Sequence, residues 1–154
     1  MLKKIKQLIV DFQGHDIPDE ALFHEKHLAS AALMVEAATL DGEFDEAERA
    51  AILALLQRAF ELSAEDAESL INEAIAHHAD ATHLLRFTRA VKDHFDEDER
   101  IELIEMMWNV VYADGVLHDY EANLMRRIAG LIYVSDRESG DARKRVATAL
   151  GLAD

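Results

Sequence analysis

Two short acidic phrases in the chain have the residue types to hold a cation. The first is Leu40-Asp41-Gly42-Glu43-Phe44-Asp45-Glu46-Ala47-Glu48 and the second Ala113-Asp114-Gly115-Val116-Leu117-His118-Asp119-Tyr120-Glu121. Asp41, Gly42 and Glu48 recur as Asp114, Gly115 and Glu121 at one offset of 73 positions. The same offset sets Glu36 against Asn109. Glu36 is the single charged residue between Leu28 and Leu40, and Asn109 the single strongly polar one from Met106 to Ala113. Burying a lone carboxylate among aliphatic neighbours costs on the order of several kcal/mol, so something positive must answer Glu36. That partner is either a metal or an arginine such as Arg49, Arg126 or Arg127. The candidate metal ligands are accordingly Glu36, Asp41, Glu48, Asp114 and Glu121. They would take a divalent cation (Ca2+, Mg2+, Mn2+ or Zn2+), with water completing a small open shell.

An EF-hand accounts for only half of each phrase. With Gly42 at loop position six, Asp41 falls at five, Asp45 at nine and Glu48 at twelve, but positions one and three are Ala37 and Thr39. In the second copy those two positions are Val110 and Tyr112. An EF-hand needs oxygen ligands there, so calcium sensing of that kind is disfavoured. A ligand-free reading stands beside the metal one. Gly would end one helix in a left-handed turn, Asp45 and Glu48 would cap the next, and Phe44 or Leu117 would staple the corner. Asp41, Asp114 and above all Glu36 are what this second reading explains least.

Of the eight histidines, His77, His78 and His83 cluster near a helix junction, and His24 and His27 lie one turn apart. Scattered imidazoles on a polar surface are expected to be solvated rather than ligating. The di-iron helix signature Glu-x-x-His, the zincin His-Glu-x-x-His, the phosphate-loop Gly-Lys-Ser/Thr and the Gly-x-Ser-x-Gly elbow are absent from the sequence. There is no cysteine, which removes disulfides, iron–sulfur clusters and thiol chemistry. No enzyme class is supported. A metal-assisted hydrolase would need an open site beside a general base, and ranks last.

The elements that must position these groups are helical throughout. The chain has 154 residues, half of them hydrophobic, with one Pro and six Gly, enough for one domain with a real core. Its Ala, Leu and Glu richness favours helix. Leu2, Ile5, Ile9 and Phe12 form the stripe of a basic amphipathic helix over 1–14, suited to packing on its own bundle or to a membrane surface. A helix started by Asp16-Ile17-Pro18 runs to Leu40 and is apolar on every side from Leu28 to Ala38, which predicts burial all round. Asp45 and Glu48 open the next, to Phe60; Ser63-Ala64-Glu65-Asp66 opens one to His78; Asp80 or Thr82 opens one to Phe95. Asp96-Glu97-Asp98-Glu99 begins a central helix carrying Ile104, Met107, Trp108 and Val111, with Trp108 and Tyr112 expected in the core. Two more helices, from Asp119 to Tyr133 and from Ser135 to Leu150, finish the chain, with Gly151 behind the last. The expected fold is all-α, a single bundle of seven to eight helices with an internal pseudo-two-fold helix–loop–helix repeat.

The net charge of −15 argues against nucleic-acid partners, because phosphates would be repelled. No run of 18 uncharged apolar residues is present, so no transmembrane segment is expected. Met1 to Phe12 lacks a signal-peptide profile, and a cytoplasmic location is the expectation. Any apolar stripe left uncovered would permit a homo-oligomer.

The segments Ala37-Ala38-Thr39-Leu40-Asp41-Gly42-x5-Glu48-x3-Ile52 and Tyr112-Ala113-Asp114-Gly115-x5-Glu121-x3-Met125 resemble the paired Ala-Asp-Gly…Glu segments of the TerB-like family, named for tellurite resistance. Ile132-Tyr133-Val134-Ser135 before a capped last helix is similar too, so the resemblance spans roughly Leu28 to Gly151. Leu40 stands where Ala is commoner in the family, and Asn109 stands opposite Glu36. The resemblance implies a single TerB-like helical domain over 1–154, with an acidic face that binds a divalent cation through Asp41, Glu48, Asp114 and Glu121. It further implies a role in bacterial tellurite and stress response, with partner proteins in a metal-sensing complex near the membrane. No catalytic activity comes with it. A metal-independent protein-interaction scaffold is the alternative.

Overall fold

Eleven consecutive positions, Leu28 to Ala38, leave only Glu36 more than marginally exposed, and this stretch forms the second half of α1 (Asp19–Ala38). The computed structural model describes residues 19–40, 44–78, 82–114 and 117–152. After α1 come α2 (Glu46–Phe60), α3 (Ala64–His78), α4 (His83–His94) and α5 (Glu97–Val111). A 3-10 turn (Tyr112–Asp114), α6 (Asp119–Leu131) and α7 (Asp136–Ala149) complete it. Among the described residues the protein is all-α, with seven helices and no strand. The amphipathic segment expected over 1–14 lies outside them.

α1 is the hub because a helix apolar on all sides can only be stable when surrounded. It packs against α2, α3, α4, α5 and α6. Leu33 and Met34 from α1, Ile52 and Leu56 from α2, Ile71 from α3 and Phe87 from α4 are almost fully buried around it. Ser30, also fully buried, donates its hydroxyl to the Lys26 carbonyl of the preceding turn at 3.0 Å, so its burial leaves no orphaned donor. α5, expected to be central, packs on α1 and most extensively on α7. Trp108 of α5 is buried as expected and its indole N–H donates to Ser139 Oγ of α7 at 3.2 Å; Tyr112 is only partly buried.

The helix starts follow local chemistry. Asp45 accepts from the Glu48 N–H at 2.7 Å while Glu48 accepts from the Asp45 N–H at 3.2 Å, a reciprocal capping box. Asp96 with Glu99, and Ser135 with Glu138, form the same box on α5 and α7. Ser63 accepts from the Asp66 N–H at 3.0 Å at the head of α3. Phe44 and Leu117 are partly buried against the core, in keeping with corner staples. α1 stops at Ala38 rather than Leu40, with Thr39 turning both its N–H and its hydroxyl onto the Val35 carbonyl, each at 2.9 Å. Gly151, at φ +73°, takes the left-handed turn behind α7.

Candidate metal centre

Glu36 is answered by two imidazoles. Its Oε2 lies 2.7 Å from Nε2 of His83 and 2.9 Å from Nε2 of His78. One ring nitrogen of each histidine and a carboxylate oxygen of Glu36 lie within 4.8 Å of one another. Neither ring is parallel to the other: the centroids are 4.8 Å apart and the planes 53° inclined. Three helix ends supply the group. Glu36 comes from the last turn of α1, His78 is the final residue of α3, and His83 is the first of α4. A histidine at a helix C-terminus suits the negative end of the dipole.

Thr39 also borders His78. Its hydroxyl has one proton, donated to the Val35 carbonyl at 2.9 Å, and its oxygen lies 3.0 Å from His78 Nε2. The Thr39 hydroxyl and Glu36 Oε2 both face His78 Nε2, at 3.0 and 2.9 Å. One carboxylate oxygen thus gathers two imidazole nitrogens. The arrangement is a hydrogen-bonded clasp when those nitrogens are protonated and a ligand set when they are not. Side-chain exposure is 16 % for Glu36, 15 % for His83 and 36 % for His78, so the group is sheltered but reachable from the His78 side.

Among the described residues no arginine answers Glu36. Arg49 pairs instead with Glu68 and donates to Asn72 Oδ1 at 3.0 Å, while Arg126 and Arg127 are exposed. Nearby Arg86 is directed to Glu25 and to Nδ1 of His77, both at 3.4 Å. The expectation that the histidines are merely solvated fails for His78 and His83, because α3 and α4 fold their joined ends onto α1. Sequence separation hid this: Glu36 and His83 are 47 positions apart. The usable signal was one unexplained carboxylate together with two histidines bracketing a helix junction.

The remaining expected ligands fall elsewhere. Glu48 and Glu121, both buried, are the third residues of α2 and α6 and accept from the N–H groups of Asp45 and His118 at 3.2 and 3.1 Å. Neither joins the Glu36 group among the described residues. Asp41 and the side chain of Asp114 lie outside the described residues. At the position matching Glu36, Asn109 donates to the Glu105 carbonyl of its own helix at 3.3 Å. His24 meets Glu73 at 3.2 Å, and His27 stacks on Phe60 with ring centroids 4.2 Å apart. Burial, with His24 and Lys26 close by, holds the His27 pKa below the ordinary imidazole value.

The family described as Tellurite resistance protein TerB matches residues 27–144, a span that contains Glu36, His78 and His83. No curated protein and no solved structure matches the chain.

Proposed function

We propose, from the premise that the chain belongs to the TerB family, that it is a non-enzymatic, cytoplasmic module of bacterial tellurite and stress resistance whose ligand is a divalent cation. The observation that carries this reading is the convergence of Glu36, His78 and His83 at three helix ends. Occupation of that point favours one arrangement of the ends over others, and the surface they present to partner proteins changes with it. A cation with equal affinity for both arrangements would change nothing. The partners are other proteins of a stress-response complex near the membrane. No helix of the described residues is long and apolar enough to cross a membrane itself, and a net charge of −15 disfavours nucleic acid.

Calorimetry with Ca2+, Mg2+, Mn2+ and Zn2+ on the wild type, Glu36→Gln and the Asp41→Asn/Asp114→Asn pair tests the reading. At least one ion should give binding heat that Glu36→Gln removes. Equal heats in all three proteins would take the cation out of the account. The double variant asks separately whether Asp41 and Asp114 contribute ligands.

The second reading, a metal-independent interaction scaffold, draws on a specific observation. Among the described residues no buried side-chain nitrogen or oxygen lacks a hydrogen-bond partner, and Glu36 already meets His83 at 2.7 Å without an ion. Partner capture that survives chelator favours the scaffold, and chelator-sensitive capture favours the cation.

A further inference from the structure

We infer that the ion taken by Glu36, His78 and His83 belongs to the imidazole-seeking class, Zn2+ foremost, and that it staples the α3–α4 corner to the end of α1. This rests on the cation reading above and deepens it.

The donor set decides the class. Two of the three converging atoms are imidazole nitrogens and one is a carboxylate oxygen. Ca2+ takes six to eight oxygens, and Mg2+ an octahedron of oxygens and water, so one carboxylate with two nitrogens is a poor match for either. Two imidazoles and a carboxylate suit Zn2+ and its Irving–Williams neighbours. Distances agree. With bonds of about 2.0–2.1 Å at tetrahedral angles, ligand atoms stand roughly 3.3 Å apart. The present separations from Glu36 Oε2 are 2.7 and 2.9 Å. Each of these two separations lengthens by about half an ångström to seat the ion. Three protein ligands leave a fourth position, and the 36 % exposure of His78 lets water fill it.

The staple follows from where the ligands sit. His78 ends α3 and His83 begins α4, so the ion ties both sides of one corner, and Glu36 ties them to α1. On binding, each Nε2 gives up its proton, to Nδ1 in a neutral ring or to solvent from a charged one. Thr39 keeps its bond to Val35.

Thermal melts of the full chain, stripped with chelator and then given ZnCl2, CoCl2, MgCl2 or CaCl2, test this. Zn2+ at a hundredfold excess over its Kd should raise the Tm by about 5–10 °C, with MgCl2 and CaCl2 inert. Co2+ should give the intense visible absorption of a tetrahedral site. Glu36→Gln and His83→Gln should each lose both signals while keeping their helical circular dichroism. His24→Gln/His27→Gln should keep both signals, which rules out surface imidazoles. Amide exchange at His78 and His83 should slow on Zn2+ loading. A shift with Mg2+ or Ca2+ but not Zn2+, lost in Glu36→Gln, overturns the assigned class and leaves the cation reading standing. A Zn2+ shift kept by both single variants overturns the site. Zn2+ binding with unchanged exchange overturns the staple. No response to any ion overturns the cation reading, and this inference with it.

Discussion

Glu36 is held by imidazole nitrogens from two other helices, His78 at 2.9 Å and His83 at 2.7 Å. Without an ion, Glu36→Ala removes the acceptor shared by two imidazoles and should cost roughly 1–3 kcal/mol in urea unfolding. His27 supplies a second residue-scale test. Its pKa is lowered in the fold, chiefly by burial, below the 6.5 of a free imidazole. The unfolded chain then binds a proton more readily than the native one, so stability falls as pH drops through 6.5 toward the lowered folded value. His27→Gln should flatten the pH dependence of urea midpoints in that window and leave them unchanged above it. One of the three residues of the candidate site was legible in sequence at this scale. Glu36 stood out because its own helix offered it no company. His78 and His83 did not, because what brings them to Glu36 is the docking of α3 and α4 on α1, which no local pattern encodes.

Helix starts are where sequence and structure agree most closely, since a cap and its partner are three residues apart and need nothing from the rest of the fold. Asp45 with Glu48, Asp96 with Glu99 and Ser135 with Glu138 were all readable and all form reciprocal boxes. Asp45→Ala and Asp96→Ala should each cost about 1 kcal/mol and should add in the double variant, because the two boxes share no partner. At the third box, the Ser135 backbone N–H, then its hydroxyl, hold the Glu138 carboxyl below its usual range. That contribution to stability is present above the ordinary carboxylate value and disappears as pH falls through the lowered one. Ser135→Ala should move the Glu138 titration upward in a carboxyl-resolved NMR experiment. An unmoved titration would leave the Ser135 backbone N–H, and not the hydroxyl, as its cause. The same locality explains a competing role for two expected ligands: one oxygen each of Glu48 and Glu121 serves a helix start.

For the whole molecule, the all-α character followed from composition, and the central place of α1 from its lack of a polar face. What the sequence withheld was which helices would meet at Glu36. Because α1 touches five other helices, defects along it should be felt globally. Met34→Ala should cost about 2–5 kcal/mol, and Ala32→Leu, which adds volume where the residue is already buried, about 1–3 kcal/mol, both read from urea midpoints.

One tryptophan serves the entire chain, and its indole is tethered to Ser139 where α5 meets α7. Intrinsic fluorescence is therefore a gauge of that single seam, excited at wavelengths the three tyrosines scarcely absorb. If the seam loosens before the bundle melts, emission will redden while far-ultraviolet dichroism holds steady. The molecule thus carries its own optical means of telling a local opening from a global collapse.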